Sequence, residues 1–200
     1  MTSKLVWAGV ILLILARVFV FQPVEVSGKS MEPNYHTYDR LIVEQFSFHF
    51  TKNYKRGQVI VVYANPHDID NDNVFSRFSK VFYIKRVIGL PGEYIQTKGS
   101  KTCIYNNDYP EGAIISENYL SDSVKAGLDQ DSRHDYAKKR IPEGSYFIMG
   151  DNRLDSQDSR VFGPVQEKAL LGKEWVRFWP VNEADAFELP TYTFTSPCNF

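Results

Sequence analysis

The stretch Val81-Phe82-Tyr83-Ile84-Lys85-Arg86-Val87-Ile88, followed by Gly89-Leu90-Pro91-Gly92, indicates how this chain folds. Eight residues rich in β-branched and aromatic side chains, closed by Gly and Pro, are typical of a β-strand. Neighbouring side chains on a strand point to opposite faces, so Lys85 and Arg86 face different sides of the sheet, each among apolar neighbours. If a face is covered, its basic side chain is held against apolar surface, where the charged form is disfavoured.

Lys85 is therefore a candidate catalytic base. Arginine keeps its proton in proteins, whereas a desolvated lysine can lose its proton and then accept one from a substrate or nucleophile. The alternative is that both side chains lie along the sheet and extend their charges to water. The strand alone favours that alternative, so a catalytic role for Lys85 depends on other residues.

The length and composition fit one β-rich domain with an appendage. The chain has 200 residues, 14% of them aromatic and 24% charged, and a formal net charge of −1. This length can bury one core, and short runs of Val, Ile, Tyr and Phe favour β structure. The balanced charge offers no basic surface for nucleic acid, so DNA- and RNA-binding proteins are disfavoured.

The N-terminus predicts a membrane anchor. Residues 5–21 are apolar except for Gly9 and Arg17, and Pro23 follows. As a helix this segment would measure roughly 25 Å, slightly less than a bilayer core of about 30 Å, and an arginine near one end can extend its charge to the interface. A cleaved signal peptide is the alternative, since a lysine precedes the apolar run. We favour a retained anchor over residues 1–22.

The rest of the chain predicts further strands and one polar insertion. Strand patterns occur at 24–26, 40–45, 58–63, 93–97, 102–105, 144–149 and 175–178. One or two helical turns are expected at 166–171, and residues from about 109 to 140 are polar and poor in strand pattern. We predict a β core in two parts, residues 23–97 and 142–200, with a small inserted subdomain at 98–141.

The cysteines and histidines form no motif. Cys103 and Cys198 could form a disulfide across a long loop in an oxidising compartment, but two cysteines without a motif are more often unpaired. The four histidines are scattered, and a Ser-His-Asp triad assembled in space stays an open alternative. No zinc-ligand spacing occurs, and we expect neither a metal nor another cofactor.

Two other segments carry reactive side chains. Ser30 lies in the turn Gly28-Lys29-Ser30-Met31-Glu32-Pro33, just after the predicted anchor. Most serines in such turns satisfy backbone groups, so the turn alone does not identify a nucleophile. The loop Gly150–Arg160 follows a predicted strand and is dense in hydrogen-bonding side chains, which suits a solvated turn or a fixed polar loop. The strand before it and the segment Val161–Pro164 after it favour a fixed loop at the edge of the β domain.

Together these segments resemble the type I signal peptidases, membrane-anchored Ser/Lys endopeptidases that remove signal peptides from exported proteins. The matching segments follow the family's order and are the anchor, Ser30-Met31-Glu32-Pro33, the strand near 40–44, Tyr83–Gly92, Gly150–Arg153, and Ser156, Asp158, Ser159 and Arg160. The resemblance covers most of the chain outside the polar stretch. It implies a mainly β fold of coiled antiparallel sheets, shared with the self-cleaving repressors, and one N-terminal transmembrane helix.

The resemblance implies a catalytic role for two residues and a supporting role for three. Ser30 would be the nucleophile, with its backbone N–H as one oxyanion donor, and Lys85 the general base. Ser156 would hydrogen-bond and orient Lys85. Asp158 and Arg160 would form an ion pair that braces the site.

Other matching residues would support the loop or bind the substrate. Asp151 and Asn152 belong to the same loop as Asp158. Met31, Tyr83 and Ile84 would line apolar pockets for the small residues at positions −1 and −3 of the signal peptide.

Some positions depart from the family's pattern. Gly28 stands where some members carry a second serine that helps to bind the oxyanion, so a second donor is unidentified. Lys29 replaces a small or acidic residue, and Asn34-Tyr35 replaces the usual Thr-Leu, which could reshape a substrate pocket. Arg86 is left with a supporting or surface role.

The expected function is cleavage of signal peptides from exported preproteins after small residues at −3 and −1. The expected partners are signal peptides and the lipid bilayer, with the export translocon as a further candidate and no nucleic acid. The resemblance places a single-pass protein in a membrane, preferably the bacterial inner or plasma membrane, with its β domain on the extracytoplasmic side. The alternatives are a specialised Ser/Lys processing peptidase, such as one for pilin, a relative of the self-cleaving repressors, and an inactive β domain that binds extended peptides.

Overall fold

The structure is a computed structural model that describes residues 4–10, 20–45, 53–64 and 82–200. Within these ranges the chain is mainly β, as predicted. Its strands are β1 (Phe21–Glu25), β2 (Arg40–Glu44), β3 (Val59–Tyr63), β4 (Phe82–Gly89), β5 (Tyr94–Lys98), β6 (Lys101–Tyr105), β7 (Ala113–Ile115), β8 (Tyr136–Arg140), β9 (Ser145–Met149), β10 (Val165–Gln166), β11 (Leu170–Trp179), β12 (Asp185–Ala186) and β13 (Phe194–Thr195). Beyond residues 4–10, which are helical, the described helices include α1 (Asp122–Gln130), α2 (Ser159–Phe162) and short 3-10 turns.

The described strands form two antiparallel sheets. The first has eight strands in the order β1-β2-β11-β3-β4-β9-β10, with β12 also paired to β11, and the second has five in the order β13-β7-β6-β5-β8. Strand β4 lies inside the first sheet, where it pairs with β3 on one side and β9 on the other. Lys85 and Arg86 therefore occupy an interior strand rather than a sheet edge.

Both faces of β4 are covered by apolar side chains. Val87 belongs to a buried cluster with Ile60, Ile148 and Leu170, and Tyr83 packs against the same cluster. On the other face, Ile88 belongs to a second cluster that includes side chains from both sheets: Ile95, Ile104, Ile141, Phe147 and Met149. Because neither face is open to water, both basic residues of the strand are buried, with exposures of 2% for Lys85 and 4% for Arg86.

Three predicted segments differ from the observed ones. β11 runs from Leu170 to Trp179, well beyond the predicted strand at 175–178, because it pairs with β2, β3 and β12 in turn. The predicted helical turns at 166–171 reduce to one 3-10 turn, Glu167–Ala169. The stretch from 109 to 140 contains more regular structure than its polar sequence suggests, since it holds β7, α1 and β8.

The predicted anchor at 1–22 is described only in part. Residues 4–10 are helical, and Phe21 and Gln22 lie in β1, whereas residues 1–3 and 11–19 fall outside the described ranges. Among the residues that the structure describes, no helix combines the length and the apolar character needed to cross a membrane.

The C-terminal segment connects the first sheet to the second. Pro190 packs against Gly57 so closely that a Cβ there would lie 2.7 Å from the proline ring. Farther along, β13 pairs with β7, and Cys198 forms a disulfide with Cys103 of β6. The sequence favoured unpaired cysteines. That preference is wrong, because the pairing of β13 with β7 brings two residues 95 positions apart to the same part of the second sheet.

Candidate active site

Ser30 lies in a tight turn between β1 and β2 and is partly exposed. The turn contains hydrogen bonds from the Glu32 N–H to the Lys29 carbonyl at 3.1 Å and from the Tyr35 N–H to the Met31 carbonyl at 3.0 Å. Gly28, just before it, has φ +93°, a conformation that L side chains rarely adopt. The backbone conformation at position 28 therefore favours glycine over serine.

The structure brings Ser30 and Lys85 together from segments 55 residues apart. Lys85 Nζ and Ser30 Oγ lie 2.6 Å apart in a hydrogen bond. Lys85 reaches the turn from the interior of β4, while Ser30 keeps partial access to solvent. A nucleophile within hydrogen-bond reach of a base is the arrangement that covalent catalysis requires.

The surroundings of Lys85 favour its neutral form. Burial lowers the pKa of the ammonium group to about 8, and the positive charge of Arg160 acts in the same direction. The carboxylates of Asp158 and Asp151 oppose this shift without cancelling it. A lysine with a pKa of 8 is neutral in about 10% of molecules at pH 7, compared with about 0.04% for an unperturbed lysine.

The loop after β9 carries a buried ion pair beside this site. Asp158 accepts hydrogen bonds from Arg160 Nε at 2.9 Å and Nη2 at 2.8 Å. It also accepts the Gly150 N–H at 3.1 Å and caps the N-terminus of α2. Burial opposes its ionisation, but Arg160 and the Gly150 N–H hold the pKa of Asp158 below its usual range. The ion pair expected from the sequence is therefore formed.

The same loop docks directly onto the Ser30 turn. Asn152 donates its backbone N–H to the Ser30 carbonyl at 3.0 Å and its side-chain amide to the Lys29 carbonyl at 3.2 Å. A Cβ at Gly150 would collide with the Ser30 carbonyl and with the side chain of Ser156. Glycine at position 150 thus permits the close approach, and Asn152 holds the two segments in register.

Ser156 differs from its expected arrangement. Its buried hydroxyl lies close enough to the Asp158 carboxylate to help lower the pKa of that group, and the expected bond to Lys85 is not formed. Instead the side chain packs over Gly150, and Lys85 Nζ bonds to Ser30. Ser156 is close to the docked loop but does not orient the lysine in this structure.

Arg86 has a supporting role, and the alternative of a surface role is wrong. Its Nε and Nη2 donate to the two carboxylate oxygens of Asp151 at 2.8 and 2.6 Å. Its Nη1 donates to the Gly57 carbonyl at 2.9 Å, and the guanidinium carbon lies 4.2 Å from the centroid of the Tyr119 ring. Because all these groups are fixed around it, Arg86 ties β4 to the loop that bears Asp151.

The three expected substrate-binding residues do not lie together. Met31 and Ile84 belong to one buried cluster with Val26 and Tyr35. Tyr83, on the opposite face of β4, is partly exposed, and its ring centroid lies 5.3 Å from Lys85 Nζ. Met31 and Ile84 therefore form the wall behind the Ser30 turn, while Tyr83 borders the lysine.

Sequence reasoning missed the partner of Arg153. This buried guanidinium donates to both carboxylate oxygens of Glu117, with Nη1 at 3.0 Å from Oε2. Glu117 also accepts the Thr102 hydroxyl at 2.8 Å. The pair connects the site loop to the second sheet. No local signal could have revealed it, because Glu117 lies in the polar stretch that was predicted to be an insertion.

The Ser30 turn makes two further contacts that the sequence did not reveal. The Asn34 side-chain amide donates to Asp151 at 2.8 Å. The Tyr35 hydroxyl donates to the carboxylate of Glu174 on β11. The unusual Asn34-Tyr35 pair was a sequence signal for these contacts, since both residues of the pair make them. It gave no indication of Glu174.

One group of described side chains could hold a metal ion. The potential ligand atoms of His36, Asp39 and Glu183 all lie within 4.8 Å of one another. Arg177 Nη1, however, lies 3.4 Å from the Asp39 carboxylate and 3.5 Å from that of Glu183. The guanidinium therefore already provides the counter-charge for both carboxylates.

Comparisons with known proteins agree on one family. The model of the family described as signal peptidase, peptidase S26, matches residues 2–179. Signal peptidase I of Bacillus licheniformis is 35% identical over 183 residues, which are 90% of this chain and 88% of that protein. Signal peptidase I T of Bacillus subtilis is 34% identical over 184 residues, 90% of this chain and 86% of that protein.

A crystal structure of a signal peptidase I from Enterococcus faecalis is 27% identical in sequence, with a TM-score of 0.42, and the match covers 60% of this chain and 96% of that one. The family match, by contrast, extends over most of the chain, and the two Bacillus relatives exceed 30% identity over 90% of it. The chain therefore belongs to the signal peptidases of peptidase family S26 and is a serine peptidase.

Proposed function

We propose that this chain cleaves signal peptides from exported preproteins with Ser30 as nucleophile and Lys85 as general base. The observation that carries the proposal is the 2.6 Å hydrogen bond between Lys85 Nζ and Ser30 Oγ. The lysine is buried, so its neutral form is accessible near neutral pH, and the family of the chain supplies the reaction class.

The reaction proceeds in two stages. Neutral Lys85 takes the proton of the Ser30 hydroxyl as the oxygen attacks the scissile carbonyl, giving a tetrahedral oxyanion. The oxyanion collapses, the C–N bond breaks, and the protonated lysine gives its proton to the leaving amine of the mature protein. The signal peptide is then held as an ester on Ser30. Lys85 next activates a water molecule, which hydrolyses the ester and restores the hydroxyl.

The oxyanion needs fixed donors beside the nucleophile. The backbone N–H of Ser30 is one donor in this proposal, since it lies on the same residue as the attacking oxygen. Asn152 holds the carbonyls of Lys29 and Ser30 and thereby orients the peptide groups around the nucleophile.

The substrate is an extended peptide with small residues at −3 and −1. An extended chain can add to exposed strand backbone, and shallow pockets then exclude large side chains. Tyr83 borders Lys85 at the surface, while Met31 and Ile84 form the apolar wall behind it. In this proposal the partly exposed Tyr83 offers apolar surface beside Lys85, and the buried Met31 and Ile84 limit the depth available to a substrate side chain.

The protein acts at a membrane in this proposal. Residues 5–21 are apolar apart from one glycine and one arginine, which supports a single anchor that ends near the start of β1, short of the predicted bound at residue 22. The β domain would then face the extracytoplasmic side, preferably of a bacterial inner or plasma membrane, where signal peptides emerge. The bilayer and the export translocon are its proposed neighbours.

Two substitutions test the catalytic pair. Ser30→Ala removes the nucleophile and Lys85→Ala removes the base, so each variant should lose at least about 1000-fold in the rate of cleavage of a preprotein with an Ala-x-Ala site. Lys29→Ala, which removes an exposed neighbouring lysine, is the matched control and should retain cleavage. Undiminished cleavage by either active-site variant would refute the pair. A folded wild-type protein that binds the preprotein without cleaving it would favour a peptide-binding domain, and cleavage of pilin alone would favour a specialised peptidase.

A further inference from the structure

The Ser30 turn is held from behind by strand β11. The Tyr35 hydroxyl donates to the carboxylate of Glu174, and Arg177 Nη1 donates to the Asn34 carbonyl at 3.0 Å. The Tyr35 N–H in turn bonds to the carbonyl of Met31, the residue after the nucleophile. Glu174 is thus connected to the Ser30 turn through a single side chain.

Glu174 faces inward just before a break in the register of β11. Glu174 pairs with Val43 of β2, whereas Val176 pairs with the adjacent Ile42, so that Trp175 is an extra residue in the strand. Such bulges redirect side chains. Trp175 is accordingly exposed, while Glu174 has an exposure of only 4%.

Glu174 lines a cavity of about 270 Å³ behind the Ser30 turn. Six charged or titratable side chains line this cavity with Glu174: Tyr35 from the turn, Arg86 from β4, Arg177 from β11 itself, Tyr119 from the segment after β7, and Asp185 and Glu188 from the C-terminal segment. The Asp151 carboxylate of the site loop also acts on Glu174 and raises its pKa. Arg86 is already matched by Asp151, and Arg177 also contacts Asp39 and Glu183. The hydrogen bond described for the Glu174 carboxylate is therefore to a neutral hydroxyl rather than to a guanidinium.

This placement raises the pKa of the Glu174 carboxyl toward neutral pH. Burial raises its pKa to about 7, while Tyr35, Arg86 and Arg177 act in the opposite direction. Burying an acid without a dedicated cationic partner lowers the stability of the fold, because the desolvation cost is not offset. The buried Glu174 carboxyl is therefore better explained by its contact with the Ser30 turn than by a contribution to stability.

We infer that Glu174 is a positioning residue for Ser30, whose carboxylate fixes the nucleophile's turn through Tyr35. The inference rests on the proposed function. An ionised carboxylate accepts a hydroxyl proton in a charge-assisted bond, which is stronger than the bond to a neutral acid. The turn is therefore held most firmly when Glu174 is ionised, and cleavage depends on two deprotonations, that of Glu174 and that of Lys85.

The pH profile of cleavage tests this dependence. With apparent values near 8 for Lys85 and near 7 for Glu174, log kcat/KM of the wild type should fall with a slope approaching 2 below pH 7. Glu174→Gln keeps a hydrogen-bond acceptor but cannot ionise, so its slope should stay at 1. At pH 9 its kcat should be about 100-fold lower, because the Tyr35 hydroxyl loses its bond to a charged acceptor. A slope of 2 in this variant, or wild-type kcat at pH 9, would overturn the inference.

Two further variants separate positioning from folding and from the proposed chemistry. Tyr35→Phe removes the donor and should also reduce the slope to 1, so it decides the question if Glu174→Gln does not fold. Glu183→Gln, a more exposed carboxylate beside the same Arg177, should keep the slope of 2. If Ser30→Ala still cleaves, the proposed function itself fails. If only Ser30→Ala is inactive and Glu174→Gln and Tyr35→Phe match the wild type, the inference on Glu174 alone is wrong.

Discussion

Strand β4 places two adjacent basic residues on opposite faces of one sheet. One of them is paired with a carboxylate and the other with a hydroxyl. Lys85 and Arg86 are almost equally buried, at 2% and 4% exposure. Arg86 meets the two oxygens of Asp151, the Gly57 carbonyl and an aromatic ring. Lys85 bonds to the Ser30 hydroxyl. The charges around it shift its pKa in opposite directions, since Asp158 and Asp151 raise it and Arg160 lowers it.

The comparison indicates that burial alone does not make a base. Desolvation disfavours the charge on both residues, but the carboxylate of Asp151 compensates for it at Arg86, where the guanidinium stays protonated. At Lys85 the compensation is incomplete, so the pKa falls. One face of β4 therefore stores a fixed positive charge, and the other supplies a group that can exchange a proton.

The largest loss of activity is expected when Lys85 is replaced by arginine, the residue that occupies the other face of β4. Lys85→Arg keeps a long basic side chain beside Ser30, but arginine does not lose its proton near neutral pH. The kcat/KM for preprotein cleavage at pH 8 should fall by about 10⁴-fold, from the ratio of neutral fractions. Lys29→Arg, at an exposed neighbouring lysine, should leave it unchanged. An arginine variant with a tenth of wild-type activity would contradict the role of Lys85.

The next effect concerns the partner of Arg86. Asp151→Asn leaves a buried guanidinium without its counter-charge, so the free energy of unfolding in urea at pH 7 should fall by about 4 kcal/mol. The matched control is Glu25→Gln, which breaks the pair with Arg40 on two roughly half-exposed side chains and should change the same quantity by less than about 1 kcal/mol. Equal losses in both variants would mean that burial does not distinguish the two ion pairs.

The smallest effect is a gain of stability. The pKa of Lys85 is lower in the folded protein, about 8, than the 10.5 of an unperturbed lysine. Below pH 8 Lys85 is protonated in both the folded and the unfolded chain, and burying its charge lowers the free energy of unfolding. This cost shrinks as pH rises toward 10.5 and is absent above it, because the lysine is then neutral in both states. Lys85→Met should be more stable than the wild type by about 3 kcal/mol at pH 7, with the difference shrinking between pH 8 and 10.5 in urea titrations. A constant difference across this range would mean that the lysine is not desolvated.

The parts of the fold that follow local patterns could be predicted. β4 and β5 each lie within one residue of their predicted bounds, because apolar side chains alternate or run continuously up to a Gly-Pro or Gly turn. β11 could not be bounded in this way. Gly172, Lys173 and Glu174 interrupt its apolar pattern, and the register shift at Trp175 reverses which side chains face inward.

The site could be predicted only as far as its motifs. The resemblance selected Ser30 and Lys85, which the structure places in contact, but their roles stay predictions until variants are assayed. The partners Glu117 and Glu174 could not be predicted. Each lies far along the chain from the residue it contacts, and pairing of this kind depends on which strands become neighbours. Ser156 matched the motif, yet its hydroxyl makes no hydrogen bond to Lys85.

The disulfide between Cys103 and Cys198 has a consequence for the unfolded chain. It closes a loop of 95 residues that includes the Asp151–Arg160 loop, β9 and all of β11. In the chain-entropy account, a cross-link of this length removes about 4 to 5 kcal/mol of conformational freedom from the denatured ensemble. The constraint therefore acts on the unfolded chain: while the disulfide is intact, the site loop, β9 and β11 all lie within one closed loop.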